Sequence, residues 1–225
     1  MLFRSGQGRD GVTVEWADPA GRASTLRADE VIVTVPLVLL RHMEIEGLDP
    51  EKRFAIRNTY YGRAHKIFMQ FSRRWWQEDE GIAHGVSVTD LAIRNVVYTP
   101  AGQDPATRKG VLIASYAWEQ DSMAYSMLDE QSRIAEALED LGKLHPQALD
   151  TFEFGVSHDW ALDRWAGGIG PLFRPLEMTS RFYDDIVRPV GRVWFANDAC
   201  DRRARRWIEG SIAAAIKNAW AINAG

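Results

Sequence analysis

With 225 residues, 46% hydrophobic and 26% charged, the chain is long enough to bury a substantial core as one large domain or two small ones. Its net charge of −4 argues against a surface built mainly for nucleic acid, and no apolar run approaches the roughly 18–20 residues that span a bilayer. The single cysteine, Cys200, excludes an internal disulfide and a cysteine-rich metal site, and the opening MLFRSGQGRDGVTVEW holds no apolar signal segment, so a reducing, cytoplasmic setting is expected.

In chain order, Val12 to Trp16 alternates as a strand and ADPAGRAST supplies a turn before Leu26, which together predict a hairpin. The β-branched run Val31 to Val35, stopped by Pro36, suits a strand covered on both faces, and Leu37 to His42 reads as one or two helical turns. Asp49 before Pro50 is an N-cap followed by a proline at the first helical position, predicting a short helix over 50–58. His65 to Phe71 alternates as a strand. Val96 to Tyr98 and Val111 to Tyr116 are strands expected to neighbour each other in one sheet, with AGQDPATRKG as the loop between them. Leu128 to Leu144 carries apolar residues at helical spacing with Asp129 as a cap. Phe152 to Val156 is a strand and Trp160 to Pro175, with three glycines and two prolines, a loop. Val193 to Ala196 is the last strand, and a terminal helix starts near Ile208 or Glu209. Strands and helices do not alternate regularly, which points to a mixed α/β, or α+β, arrangement.

Motifs for metal or nucleotide chemistry are absent: the sequence holds no Walker loop, no HExxH and no paired CxxC, so no metal is expected. Ser5 to Gly8 and Gly167 to Gly170 resemble pieces of phosphate loops but lack the strand, GxGxxG and helix context, and read as turns. Lys66 is different, because an ammonium opening an apolar strand must either reach solvent or meet a partner. The start of the terminal helix offers free amides and a dipole suited to an anion, beside four arginines at Arg202, Arg203, Arg205 and Arg206.

Three stretches taken together resemble the C-terminal half of the flavin-dependent amine oxidase family, nearest its L-amino-acid oxidases and amino-acid monooxygenases. They are ADEVIVTVPLVLL at 28–40; the tract YGRAHKIF at 61–68 with RRWW, GVSVTDLAIRNVVYTP and ASYAWEQD; and WALDRWAGGIGPLF with GRVWFANDACDRRARRWIEGSI. The resemblance implies FAD as cofactor and a division into an FAD-binding part at 1–45 and 190–225 and a substrate-binding part at 46–189. It implies that Lys66 is catalytic, holding a water near flavin N5. It also implies that Tyr116 helps bind the substrate carboxylate, that Gly170 leaves the pocket roomier for a bulky side chain, and that Trp207 lies beside the substrate. The cofactor contacts it implies are Trp160 packed near the flavin, Asp198 toward the ribityl or pyrophosphate region, and the helix start around Trp207, Ile208, Glu209 and Gly210 at the flavin O2 and N1 edge.

The sequence also departs from the family pattern: FAND stands where FAGE is usual, and Arg206 precedes the tryptophan where a glycine is usual. The family's Rossmann unit with its GxGxxG fingerprint and its carboxylate-binding arginine have no counterpart here. The expectation is a subunit of a split FAD-dependent L-amino-acid oxidase, inactive alone, whose partner is a separate chain carrying the Rossmann half. The implied reaction passes the Cα hydride of an amino acid to the flavin and gives an imino acid, then a keto acid and ammonia, with hydrogen peroxide from reoxidation. Two alternatives stand beside it: an amino-acid 2-monooxygenase subunit, and a non-catalytic module that regulates a flavoprotein. Neither nucleic acid nor membrane is expected as a partner.

Overall fold

A computed structural model describes residues 4–8, 11–100 and 107–224. The chain forms two compact units, one of Met1–Gly62 with Arg164–Gly225 and one of Arg63–Asp163. These limits differ from the expected 1–45/190–225 and 46–189: by packing, residues 46–62 and 164–189 belong with the first unit. The reason is local, because helix and strand contacts tie both segments to the first unit's own core.

In the first unit, β1 (Arg4–Gly8), β2 (Gly11–Ala17), β3 (Ala23–Ala28) and β5 (Glu44–Ile45) form a sheet in the order β3-β2-β1-β5. The expected hairpin is β2–β3, antiparallel with Val12 opposite Ala28. Ser5 to Gly8, expected as a turn, is instead part of β1, which pairs antiparallel with β2 and parallel with β5. The run at 31–35 is shortened to β4 (Val31–Val33) by Pro36, and a 3-10 turn follows at Leu37–His42. Helix α1 (Pro50–Asn58) starts as its cap dictates, with the Asp49 carboxylate accepting the Lys52 amide at 2.8 Å. A two-residue strand, β6 (Tyr60–Tyr61), ends this part.

The second unit is a sheet in the order β11-β7-β10-β9-β8, with each adjacent pair antiparallel: β7 (Ala64–Phe71), β8 (Gly85–Val88), β9 (Asn95–Tyr98), β10 (Gly110–Trp118) and β11 (Phe152–Asp159). The expected neighbours at 96–98 and 111–116 are β9 and β10; of the loop between them, residues 101–106 lie outside the described residues. Helices α2 (Trp75–Glu78), α3 (Gln120–Ser126), α4 (Glu130–Leu144) and α5 (Gln147–Thr151) accompany the sheet. Asp129 caps α4 by accepting the Ser132 amide at 2.9 Å. Ile67, Met69 and Phe71 of β7, Leu112 and Ala114 of β10 and Ala137 and Leu141 of α4 make one buried core with Trp75 and Trp76. The edge-to-face contacts of Phe71 with both tryptophans add about 0.5–1.5 kcal/mol each beyond the area they bury.

The chain then returns to the first unit through β12 (Pro171–Leu172), which pairs with β6 inside the stretch expected as loop, α6 (Arg181–Val187), β13 (Val193–Phe195) and α7 (Ile208–Ala224). Strand β13 lies parallel to β4, and Val33, Leu37, Ile56, Tyr61, Ile186 and Phe195 share this unit's core. Lys52 is buried here. Its Nζ donates to the carbonyl oxygens of Asp185, Ile186 and Arg188 at 3.0, 2.9 and 2.6 Å and lies 3.7 Å from the Phe195 ring centroid. All three ammonium protons are thereby used, which is what a buried lysine needs. Among the described residues, no helix is long and apolar enough to cross a membrane, and no group of three or more His, Cys, Asp or Glu side chains could hold a metal ion.

Candidate functional site

The candidate residues fall in both units. In the second unit, the alternation of β7 turns Ile67, Met69 and Phe71 to the core and leaves Lys66, Phe68 and Gln70 on the other face. Lys66 pairs across the sheet with Tyr116 of β10 on one side and His158 of β11 on the other. Its Nζ stands 4.6 Å from the Tyr116 ring centroid, the cation–π geometry that lets a half-buried ammonium sit on an apolar strand. Tyr116 faces Lys66 because the ladder skips Ala114: Ile113 opposes Phe68 and Ser115 opposes Ile67, so the strand carries one extra residue. Without that bulge Ser115 would face Lys66 and Tyr116 would turn inward.

Further aromatic side chains flank Tyr116 and His158. Trp118 lies 5.4 Å from the Tyr116 ring and Trp160 lies edge-on 4.4 Å from His158. Trp160 is held by its amide, which donates to the Ala64 carbonyl at 3.0 Å, and by the turn that Asp159 stabilises through the Ala161 amide at 2.9 Å. Burial raises the pKa of the Tyr116 hydroxyl above the ordinary phenol value, so it stays protonated and available to donate. One residue toward the strand's start, His65 points the other way, into the core, with Nε2 2.9 Å from the Ser115 hydroxyl, which itself donates to the Ile93 carbonyl at 3.0 Å. Burial lowers this imidazole's pKa to about 4.

In the first unit, Asp198 follows β13 and is reached by Tyr61. The Tyr61 hydroxyl donates to Asp198 Oδ1 at 2.8 Å and accepts the Leu37 amide at 2.8 Å, tying three segments together. Burial raises the Asp198 carboxyl above the usual range and pushes the Tyr61 phenol up strongly, so the phenol remains the donor. The loop after Asp198 folds on itself: the Asp201 carboxylate accepts the amides of Arg203 and Ala204 at 2.8 and 2.6 Å, and the Asp198 carbonyl accepts the Arg206 amide at 2.9 Å. Arg206 adopts φ 68°, the left-handed conformation that a glycine takes without cost.

Gly170 does not open space. A Cβ there would stand 2.9 Å from Arg206 Cγ and 3.2 Å from Asp198 Oδ2, and its φ of +133° disfavours any side chain. The volume beside this position, expected to leave room for a bulky substrate side chain, holds Arg206. At the start of α7, a Cβ on Gly210 would come within 2.2 Å of the Ala204 carbonyl oxygen, so only glycine lets the loop approach the helix. Trp207 and Ile208 are exposed, as is Glu209, and among the described residues the amides of Ile208 and Glu209 have no acceptor. Two such donors at a helix start favour an anion there. The arginine cluster divides: Arg202 pairs with Asp184 at 2.7 Å and covers the Tyr183 ring, while Arg205 donates to the Arg202 carbonyl at 3.4 Å.

Two features of this geometry had no sequence signal. His158 becomes a neighbour of Lys66 only through the register of β11, and Tyr61 becomes a partner of Asp198 across 137 positions.

A family described as flavin-containing amine oxidoreductases matches residues 4–223, and the chain belongs to it. The chain is 32% identical over 206 residues to a flavin-dependent L-tryptophan oxidase of Lentzea aerocolonigenes, covering 90% of this chain and 43% of that protein. It is 35% identical over 219 residues to an L-amino-acid oxidase of Siganus canaliculatus, covering 96% of this chain and 41% of that one. Among solved structures, putrescine oxidase superposes with a TM-score of 0.81 at 20% identity, over 99% of this chain and 48% of its own. Cyclohexylamine oxidase from Brevibacterium oxydans does so with 0.79 at 22% identity, over 99% and 47%. These two show the fold, a mixed α/β arrangement of the FAD-linked amine oxidase type. The chain spans less than half the length of the relatives it matches. The family's cofactor is the flavin expected from the sequence, FAD.

Proposed function

We propose that this chain supplies the Lys66 sheet and the helix-start contacts of an FAD-dependent L-amino-acid oxidase. The Rossmann half of the site would come from outside it, as a separate chain. The observation that carries the reading is the pairing of Lys66 with Tyr116 on one face of the sheet, within a chain that matches its family from residue 4 to 223. L-amino-acid specificity is supported by the relatives, among them L-amino-acid oxidases and an L-tryptophan oxidase.

FAD, when bound, supplies the two-electron acceptor for oxidation of the amino acid. In the first unit, the free amides of Ile208 and Glu209 would take the negative edge of its ring, with Trp207 and Gly210 shaping the helix start; in the second unit, Trp160 would offer an aromatic wall. Asp198, held by Tyr61, would accept from a hydroxyl of the cofactor's ribityl chain. Lys66 would hold a water through its ammonium and pass a proton to or from it. The Tyr116 hydroxyl would donate to the substrate carboxylate, and Trp118 would help exclude water from the reacting carbon. Oxidation of an L-amino acid then yields the imino acid, which hydrolyses to keto acid and ammonia, with oxygen as the final acceptor giving hydrogen peroxide.

The test is peroxide and ammonia release by flavin-loaded material offered each L-amino acid and its D-enantiomer. Turnover of one or more L-amino acids with equal peroxide and ammonia supports the reading. Turnover of simple amines alone would overturn the amino-acid assignment.

A further inference from the structure

The bulge that turns Tyr116 toward Lys66 is set from β9 as well as from β7. Along β10, Leu112 is buried and Ile113 half-buried, but Ala114 and Ser115 are both buried in succession, and the alternation then resumes with Tyr116 on the open face. The same irregularity shows against β9, where Ile113 opposes Val97 while Tyr116 opposes Asn95. Continued without the extra residue, the register at Ile113 would set Ser115 against Asn95 on one side and against Lys66 on the other. A one-residue slip of this kind reverses the face of each side chain beyond it.

Side-chain bonds hold the bulged register. The Asn95 side-chain amide donates to the Tyr116 carbonyl at 2.7 Å, and the Ser115 hydroxyl donates to the Ile93 carbonyl at 3.0 Å. The turn before β9 delivers Asn95 to this place: the Arg94 carbonyl accepts the Thr89 amide at 2.8 Å, the Arg94 amide donates to the Leu91 carbonyl at 3.0 Å, and Arg94 takes the left-handed φ of 57°. Val96 and Tyr98 belong to the core, so alternation puts Asn95 on the face that carries Tyr116 and Lys66. We propose that Asn95 is a positioning residue for Tyr116: its amide, bonded to the Tyr116 carbonyl, fixes the register that keeps the phenol on the Lys66 face and thereby sets the affinity for the amino-acid carboxylate. The inference rests on the reading that the Tyr116 hydroxyl donates to that carboxylate.

The experiment uses flavin-loaded material in which Asn95→Ala and Asn95→Leu remove the donor, the second at similar volume, and Asn95→Gln keeps one. Both donor-less variants should raise KM for the amino acid about fivefold, the factor one ordinary hydrogen bond is worth, with kcat within about twofold, and Asn95→Gln should recover most of the loss. In a Tyr116→Phe background the same substitutions should change KM less than about twofold, because the two residues act through one hydroxyl. Where Tyr116→Phe itself raises KM, an unchanged KM in the donor-less variants, or an equal rise in both backgrounds, overturns the proposal. Fluorine NMR of a fluorotyrosine in place of Tyr116 reads the ring's surroundings without substrate. The donor-less variants should shift or split its resonance and Asn95→Gln should leave it in place; an unmoved resonance overturns the proposal. Where Tyr116→Phe leaves KM unchanged, the carboxylate reading of Tyr116 falls and the resonance alone decides whether Asn95 positions the ring.

Discussion

Lys66 and Tyr116 face each other across β7 and β10 because the ladder skips Ala114, and the Lys66 ammonium rests 4.6 Å from the phenol ring centroid. That register separates two jobs on one strand. Ser115 turns inward to the buried His65, and Tyr116 turns to the open face with Lys66. Lys66→Met in flavin-loaded material should slow flavin reduction or reoxidation by about 10²-fold or more while the flavin stays bound. Stopped-flow absorbance reads both half-reactions, and unchanged rates in both would remove Lys66 from the chemistry. Tyr116→Phe should instead raise KM for the amino acid about tenfold, the worth of one hydrogen bond to a carboxylate, with a smaller change in kcat.

Tyr61→Phe should destabilise the first unit by about 1–3 kcal/mol, because it leaves the Leu37 amide and the Asp198 carboxyl short of a partner in a buried setting. Urea denaturation checks this. A loss below about 0.5 kcal/mol would mean water replaces the phenol at no cost.

Gly170→Ala should cost about 1–3 kcal/mol from two causes, the clash with Arg206 and the φ of +133°. Arg206→Gly alone should be nearly neutral, since it relieves a left-handed arginine, and combined with Gly170→Ala it should recover the part of the loss due to the clash but not the part due to backbone conformation. A double-mutant cycle by thermal denaturation separates the two; strict additivity would show that the side chains do not compete for the same space.

Stability should fall with acid between pH 6.5 and 4 because of His65. Its folded pKa lies at about 4, below the ordinary 6.5, so in that window the unfolded chain binds a proton that the folded chain refuses. The stabilisation is complete above pH 6.5 and is lost progressively as pH falls toward 4. Urea midpoints measured at pH 7 and pH 4.5 test this. His65→Gln, which keeps a hydrogen-bonding partner for Ser115, should flatten the slope across this window.

Much of the fold was legible because local chemistry decided it. Asp49 with Pro50 and Asp129 fixed the starts of α1 and α4, and alternation over most of its length marked β7. Ser5 to Gly8 misled, because glycines suggest a turn while pairing on both sides makes the segment β1. Short elements such as β5, β6 and β12 owe their existence to distant partners and leave no periodic trace. Of the candidate site, Lys66, Tyr116 and Asp198 were singled out through family resemblance. Their partners Tyr61 and His158 were not, since each depends on long-range register. Gly170 shows the limit of position-by-position reading: a missing side chain suggested space that Arg206, 36 residues on, fills.

The most direct test is to purify the protein from its native source and record the absorbance spectrum together with the sequences of the chains it contains. An oxidised-flavin spectrum, bleached anaerobically by an L-amino acid, with the Rossmann half of the amine oxidase fold in the same material, is the predicted result. Colourless material containing residues 1–225 alone, in which added FAD does not bind, would contradict it.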